Sequence, residues 1–245
     1  MLLKVRAQAQ AGLISSTKPT ESLDDYGLGS VNCEICGNSG QVHYEKDGFL
    51  YSKDCVCMSK RRMLKAARNS GMEDMLSRYT FDAYEPYSEK AAQIKQKAYD
   101  YAHVDSGWLY ISGTPGSGKS HICVAVCNAL IERGKPVKYM LWRDDITRLK
   151  ANVNDPLYGS EMEKLKTVQV LYIDDFLKGN WTEADIRIAF ELLNYRYNDS
   201  KLRTLISSEL SVSKICEIDE ALGSRIYERS KGYVLKSPEE NYRLW

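Results

Sequence analysis

Three observations predict an α/β fold: a parallel sheet flanked by helices, with a small cysteine-bearing module ahead of it. From about residue 89, apolar strand-like runs alternate with segments of helical periodicity, the pattern of a parallel sheet covered by its crossover helices. Gly113-Thr-Pro-Gly-Ser-Gly-Lys-Ser120 fits the phosphate-loop pattern G-x-x-x-x-G-K-[ST] and lies between a strand-like and a helical stretch. Four of the seven cysteines fall within residues 31–58.

The elements follow in order. Residues 1–30 are polar with weak periodicity and read as a flexible N-terminal segment. A module over 31–78 holds a short hairpin, with strands at 42–44 and 49–52 around the turn Lys46-Asp-Gly48. A basic helix follows at 59–69, carrying Lys60, Arg61, Arg62, Lys65 and Arg68. Residues 79–245 form the larger domain. Its stretch 79–86 reads as a linker and 89–104 as a helix leading into a first strand at 108–112.

Behind the phosphate loop, Ile122, Val126, Ala129 and Leu130 recur at helical spacing until Gly134. A strand at 137–142 follows Pro136, and Asp144 or Asp145 caps a helix to about Asn152. Pro156 and Gly159 break the chain before a short helix at 160–166. The next strand is 168–173, then a helix at 182–198 with Ile186, Ala189, Phe190, Leu193 and Tyr197 on one face. A strand at 204–207, a helix at 211–230 and a last strand at 233–235 complete the sheet. Ser237-Pro-Glu-Glu240 reads as a capping box that opens a final short helix.

Composition narrows the function classes. A formal charge of +1 carries no global signature for a polyanion, so any nucleic-acid contact is a local patch. No stretch approaches the roughly 18 apolar residues of a membrane span. The N-terminal Met-Leu-Leu-Lys-Val-Arg lacks a secretory apolar region. A cytoplasmic location is expected, where clustered cysteines mean metal more often than disulfide.

The phosphate loop supplies the first site. Backbone N–H groups of Gly113, Thr114, Pro115, Gly116, Ser117, Gly118, Lys119, Ser120 and His121 (proline excepted) can wrap a polyphosphate at the positive end of a helix. Lys119 is expected to reach the β/γ-phosphates of ATP, and Ser120 to place its hydroxyl on Mg²⁺. Val170-Leu-Tyr-Ile-Asp174-Asp175 is an apolar strand ending in two acids. Asp174 is expected to orient Mg²⁺, and Asp175 to polarise the attacking water. Ser208 and Glu209 end the neighbouring strand and are candidates for contact with the γ-phosphate or the water. Arg225 and Arg229 stand four apart on one helix face. Either can stabilise transition-state charge on a neighbouring subunit. Arg243 is a candidate for the nucleotide of its own subunit.

Cys33-x2-Cys36 and Cys55-x-Cys57, separated by 18 residues, offer four thiolates around the hairpin. They suit a closed, structural tetrahedral Zn²⁺. An iron–sulfur cluster, reduced cysteines without a metal, or His43 replacing one ligand are the alternatives. Cys123, Cys127 and Cys216 read as core.

Taken together, these residues resemble the DnaC/DnaI-type replicative helicase loaders of the AAA+ class, over roughly residues 31–243. Lys178-Gly179 and Asn194-Tyr-Arg-Tyr197 fit the phage-type branch. The resemblance implies an AAA+ ATPase core and adenine contacts from the Tyr79-Thr-Phe81-Asp segment. It implies an arginine finger at Arg225 or Arg229 and a sensor-2 role for Arg243. It further implies a hexameric DnaB-type helicase as partner, single-stranded DNA as ligand and self-association through the ATPase domain. Two features depart from the usual pattern: Asp175 where Glu is usual, and Glu209 at the sensor-1 position, where a nearby Arg or Mg²⁺ would have to offset its charge. The first implies slow hydrolysis, and the second implies it where no such offset is present. A transposition-helper ATPase of the IstB kind shares the same core and is the alternative; a zinc adaptor that merely binds ATP is a third.

Overall fold

The computed structural model describes residues 33–67, 72–153, 155–238 and 240–242. Arg68 and Arg243 lie outside them. The chain divides into two compact units, one ending at Lys65 and the other beginning at Ala66.

The smaller unit is the predicted hairpin and the helix that follows it. Strands β1 (Gln41–Lys46) and β2 (Phe49–Asp54) pair antiparallel. Asp47 and Gly48 join them, both at positive φ (54° and 78°), as a two-residue turn matched to strand twist requires. Helix α1 (Val56–Ala67) follows. Arg61, expected on a basic surface, is buried instead; its guanidinium donates to the carbonyl and side-chain oxygen of Asn38, both at 3.4 Å.

The larger unit opens with α2 (Glu73–Arg78) and α3 (Glu89–His103). It continues with β3 (Leu109–Ser112), α4 (Lys119–Glu132), β4 (Val137–Leu141), α5 (Trp142–Ala151), α6 (Pro156–Thr167) and β5 (Val170–Asp174). The chain then forms α7 (Glu183–Asn198), β6 (Arg203–Ser208), α8 (Val212–Ile218), α9 (Glu220–Arg229) and β7 (Val234–Lys236). The sheet is wholly parallel, in the order β4-β5-β6-β3-β7. Every residue of β3, β5 and β6 is buried, which is why β3 and β5 read as apolar runs rather than alternations, while β6 buries Arg203, Thr204, Ser207 and Ser208 as well. In this order β3 lies between β6 and β7, so the crossover from β3 to β4 passes over two strands. The carboxyl ends of β3, β5 and β6 then border one crevice, where open α/β sheets bind ligands. Among the described residues no helix is long and apolar enough to cross a membrane.

Several elements differ from the sequence reading. Helix α5 starts directly from β4 at Trp142, so Asp144 and Asp145 sit in its first turn facing the helix dipole rather than capping it. Pro156 opens α6 instead of breaking the chain: Asp155 caps it and proline at the first position gives up no helical N–H. The single helix expected at 211–230 is two, because Asp219 ends α8 and caps α9 through Leu222 N–H. Ser237 starts no helix. Its N–H donates to the Ser112 carbonyl and its hydroxyl to the Ser117 carbonyl, at 2.7 and 2.6 Å. The stretch 79–86 is no loose linker: Tyr84 is buried, and Asn128 of α4 donates to the carbonyls of Leu76 and Tyr79. Cys123 and Cys127 are fully buried as expected, and Cys216 is half-buried against the core.

Candidate nucleotide site and cysteine centre

The phosphate loop leaves the end of β3 and turns into α4 through Gly116 and Gly118, at φ 77° and 85°. A side chain at Gly116 would collide with Asn241. Four contacts tie the loop's carbonyls from behind. Ser117 Oγ and Lys119 Nζ both donate to the Thr114 carbonyl, at 2.8 and 2.7 Å. Tyr242 N–H donates to the Gly116 carbonyl at 3.0 Å, and Ser237 Oγ takes the Ser117 carbonyl. With its carbonyls held, the loop is fixed in a curve whose opposite face carries the N–H groups at the positive end of α4. Ser237, expected to open a separate helix, and Tyr242 thus brace the loop.

The loop lines a cavity of about 570 Å³ together with Tyr79, Tyr84, Tyr242, Asp175, Lys178 and Glu209. One wall is aromatic. Tyr79 stacks on His121 with ring centres 4.8 Å apart, Tyr84 meets the same imidazole edge-on at 5.1 Å, and Tyr87 meets Tyr242 at 4.0 Å. His121 Nε2 donates to the Thr80 carbonyl at 2.9 Å, and burial lowers its pKa, so the ring is neutral at physiological pH. Phe81, expected beside Tyr79, stands outside this lining and packs edge-on to Tyr99 of α3.

Asp174 sits at the centre of a polar cluster on the sheet. Its Oδ1 accepts from the hydroxyls of Tyr172 at 2.7 Å, Ser120 at 3.1 Å and Ser207, and from Asp175 N–H at 3.2 Å. Its Oδ2 accepts from Tyr139 at 3.1 Å. Burial and the Asp174 charge push the pKa of both tyrosines up, so they remain donors. The carboxylate is held in one orientation 3.1 Å from the Ser120 hydroxyl, the pair that a Mg²⁺ bound with a polyphosphate requires. Burial lowers the pKa of Lys119, and Asp175, Glu209 and Asp174 oppose that. Asp175 and Glu209 are bridged by Lys178, at 2.9 and 3.3 Å. The structure thus pairs Glu209 with a lysine, where the sequence suggested an arginine or a metal ion. Ser208 is turned away; its hydroxyl donates to the Phe176 carbonyl at 2.7 Å.

In the smaller unit the Sγ atoms of Cys33, Cys36, Cys55 and Cys57 all lie within 4.8 Å of one another and are buried. The Cys33–Cys55 and Cys36–Cys57 separations are 3.7 and 3.6 Å. A tetrahedron with zinc–sulfur bonds of about 2.3 Å has edges of about 3.8 Å, whereas a disulfide needs about 2.05 Å. The donor set fits a four-thiolate metal site. Gly37, Asn38 and Gly40, all at positive φ, form the knuckle between the two pairs. Asn38 Oδ1 accepts from Cys33 N–H at 2.7 Å, and Gly40 N–H points at Cys36 Sγ at 3.4 Å. His43 lies on β1 opposite Ser52 and is not part of the quartet.

Residues 47–244 match the family model described as IstB-like ATP binding protein. The chain belongs to this family. Its relatives are consistent with that. XkdC of the phage-like element PBSX of Bacillus subtilis is 30% identical over 247 residues, covering 93% of this chain and 90% of its own. YqaM of the same organism is 31% identical over 76% of this chain, which spans 63% of YqaM's length. The replicative helicase loader DnaC of Escherichia coli is 27% identical over 69% of this chain and 70% of its own. Among solved structures, the DnaC helicase loader superposes with TM-score 0.59 at 22% identity, covering 66% of this chain and 98% of that one. DnaI superposes with TM-score 0.57 at 18% identity, over 69% of this chain and 93% of that one. These likenesses establish the AAA+ fold.

The IstB/DnaC-type core places the two late arginines away from the cavity. Arg225 lies over the rings of Phe190 and Tyr197, 5.0 and 5.5 Å from their centres, and donates to the Ala221 carbonyl at 2.7 Å. Arg229 reaches the carbonyls of Asp199, Ser200 and Leu202 at 3.3–3.4 Å and lies 5.9 Å from the Trp108 ring. Trp108 precedes β3 and the phosphate loop follows it, so Arg229 stands at the end of the sheet opposite its own nucleotide cavity. Tyr139, Tyr172, Ser207, Tyr84, Tyr242 and Lys178 join the site without having been read as site residues in the sequence, where Lys178 counted only toward the phage-type resemblance. Only Tyr172, two residues before Asp174 on the same strand face, left a signal there.

Proposed function

We propose that this chain is an ATP-dependent loader of a hexameric, DnaB-type replicative helicase onto single-stranded DNA. The observation that carries the reading is a four-thiol module set ahead of a phosphate-loop unit that resembles DnaC in both sequence and fold. In this reading Lys119 draws the β/γ-phosphates onto the loop, and the aromatic wall of Tyr79, Tyr84 and Tyr242 holds the base. Ser120 and Asp174 would hold Mg²⁺, which supplies charge neutralisation on the phosphates. Asp175 accepts the proton of the attacking water. Its short side chain and its pairing with Lys178 favour slow turnover, raised by single-stranded DNA. Arg225 or Arg229 would complete a neighbouring subunit's site, with self-association through the ATPase unit. The quartet Cys33, Cys36, Cys55 and Cys57 would hold one structural Zn²⁺ in the helicase-binding module.

The family match also supports a second reading, a transposition helper of the IstB kind acting on duplex DNA. The cysteine module favours the loader. Pull-down of the full chain against a replicative helicase, with ATP and ADP compared, separates the two: nucleotide-dependent capture is expected for a loader, and its absence alongside ATP-dependent assembly on duplex DNA for a helper. Lys119→Ala is expected to weaken ATP binding by at least about 100-fold, through loss of a charge-assisted contact to the phosphates. Full ATP affinity in that variant, measured by calorimetry, would remove the nucleotide site.

A further inference from the structure

The turn after β5 adopts a backbone that non-glycine residues rarely take. Asp175 and Leu177 have φ 53° and 54°, flanking the fully buried Phe176. Such outliers persist where their surroundings over-determine them. Here Phe176 N–H donates to the Ser207 carbonyl at 2.8 Å, its carbonyl accepts from Ser208 Oγ, and Lys178 N–H closes on the Asp175 carbonyl at 3.1 Å. The turn folds Lys178 back along the cavity, where its ammonium joins the ends of two neighbouring strands. It reaches Asp175 Oδ2 after β5 at 2.9 Å and Glu209 Oε1 after β6 at 3.3 Å. The Asp175 hydrogen bond, with Glu209 adding to it, raises the pKa of Lys178, so the group is charged at neutral pH.

The charge count gives this lysine its meaning. Asp174, Asp175 and Glu209 place three carboxylates around Lys119, in a cavity whose loop is built for polyphosphate. Without Lys178, a single ammonium would face all of them, and Glu209 would stand unpaired beside the incoming anion. An unpaired like charge a few ångströms away weakens anion binding by about tenfold or more at a partly buried site. On the nucleotide reading the terminal phosphate would feel this most, because Asp175 is read as acting on the water that attacks it.

We propose that Lys178 is a positioning residue of the nucleotide site: by neutralising Glu209 and holding Asp175, it lets the cavity accept the terminal phosphate of a nucleoside triphosphate. The inference rests on the nucleotide reading above. It makes Lys178 and Glu209 a matched pair, in which the lysine is needed because the glutamate is there.

The test measures ATP and ADP affinity by calorimetry on the full chain, with thermal unfolding alongside. Lys178→Ala is expected to weaken ATP by about tenfold and ADP by less than about threefold. Lys178→Arg stays within about threefold of the wild type, and the double variant Lys178→Ala/Glu209→Gln recovers ATP affinity to a similar margin. Glu209→Gln alone binds ATP at least as tightly as the wild type, a test that does not depend on the alanine variant folding. Unchanged ATP affinity in Lys178→Ala, no recovery in the double variant, or weaker ATP binding in Glu209→Gln each overturns the pairing. A wild-type chain that binds neither nucleotide overturns the nucleotide reading instead.

Discussion

Cys36→Ser is expected to remove about one Zn²⁺ per chain and to unfold the hairpin unit while the larger unit keeps its fold and its ATP affinity. The size of the effect follows from what the smaller unit buries. Every residue of β2 is exposed, and among the described residues of this unit the hydrophobic cluster is the four cysteines, with Val42 and Met58 packed against it. Six such residues cannot offset the cost of ordering the hairpin and its knuckle, at about 1–2 kcal/mol per residue for the backbone alone. A structural zinc contributes about 10–16 kcal/mol in peptides of this kind, nearly all of which appears as folding free energy. Serine cannot supply a thiolate, so the loss is close to all-or-none. Elemental analysis of the full chain checks the stoichiometry, and hydrogen exchange at β1 and β2 checks the fold. A metal-free wild-type chain with a protected hairpin and freely reactive thiols would refute the claim. Visible charge-transfer absorption would replace zinc by an iron–sulfur cluster.

What could be read from the sequence was what local chemistry decides. An apolar run that is buried on both faces announces β3 and β5. Lys46-Asp-Gly48 announces a turn because consecutive positive φ angles favour this pair. The phosphate loop and Asp174 were legible for the same reason: residue type and spacing alone carry the chemistry. What escaped was set by partners far along the chain. Ser237 has the sequence context of a helix cap, yet its hydroxyl goes to the Ser117 carbonyl, 120 residues away. The stretch 79–86 looks like a linker until Tyr84 is seen packed beside Gly118. Lys178 stands out only as part of Lys178-Gly179, with no role attached, and only the adjacency of β5 and β6 brings Glu209 to it. Asp155-Pro156 was ambiguous in a different way, since proline both ends and begins helices and the choice depends on what precedes it.

Arg196→Met is expected to lower the stability of the larger unit by about 3–5 kcal/mol, the largest effect of any single substitution outside the cavity and the metal centre. Arg196 is fully buried with no carboxylate among its hydrogen-bond partners. Its guanidinium instead gathers oxygens from two elements. Nη1 donates to the carbonyls of Leu165, Lys166 and Val168 at 2.8–3.0 Å, Nη2 to that of Arg203 at 2.6 Å, and Nε to Thr204 Oγ1 at 3.0 Å. The first three are the end of α6, where carbonyls lack helical partners and the dipole is negative. The other two open β6. One planar cation therefore caps a helix and ties it to the strand whose far end carries Glu209. Methionine fills much of the volume but leaves those acceptors buried without donors, each at about 1–3 kcal/mol before relaxation. For a unit of this size the melting temperature should fall by roughly 6–20 °C. Lysine should not rescue it, because a single ammonium cannot span oxygens on both sides of a guanidinium fork. Urea unfolding of the full chain, followed by near-ultraviolet dichroism, measures the difference. A loss below about 1 kcal/mol in Arg196→Met, or full rescue by Arg196→Lys, would show that α6 is held by its apolar face alone.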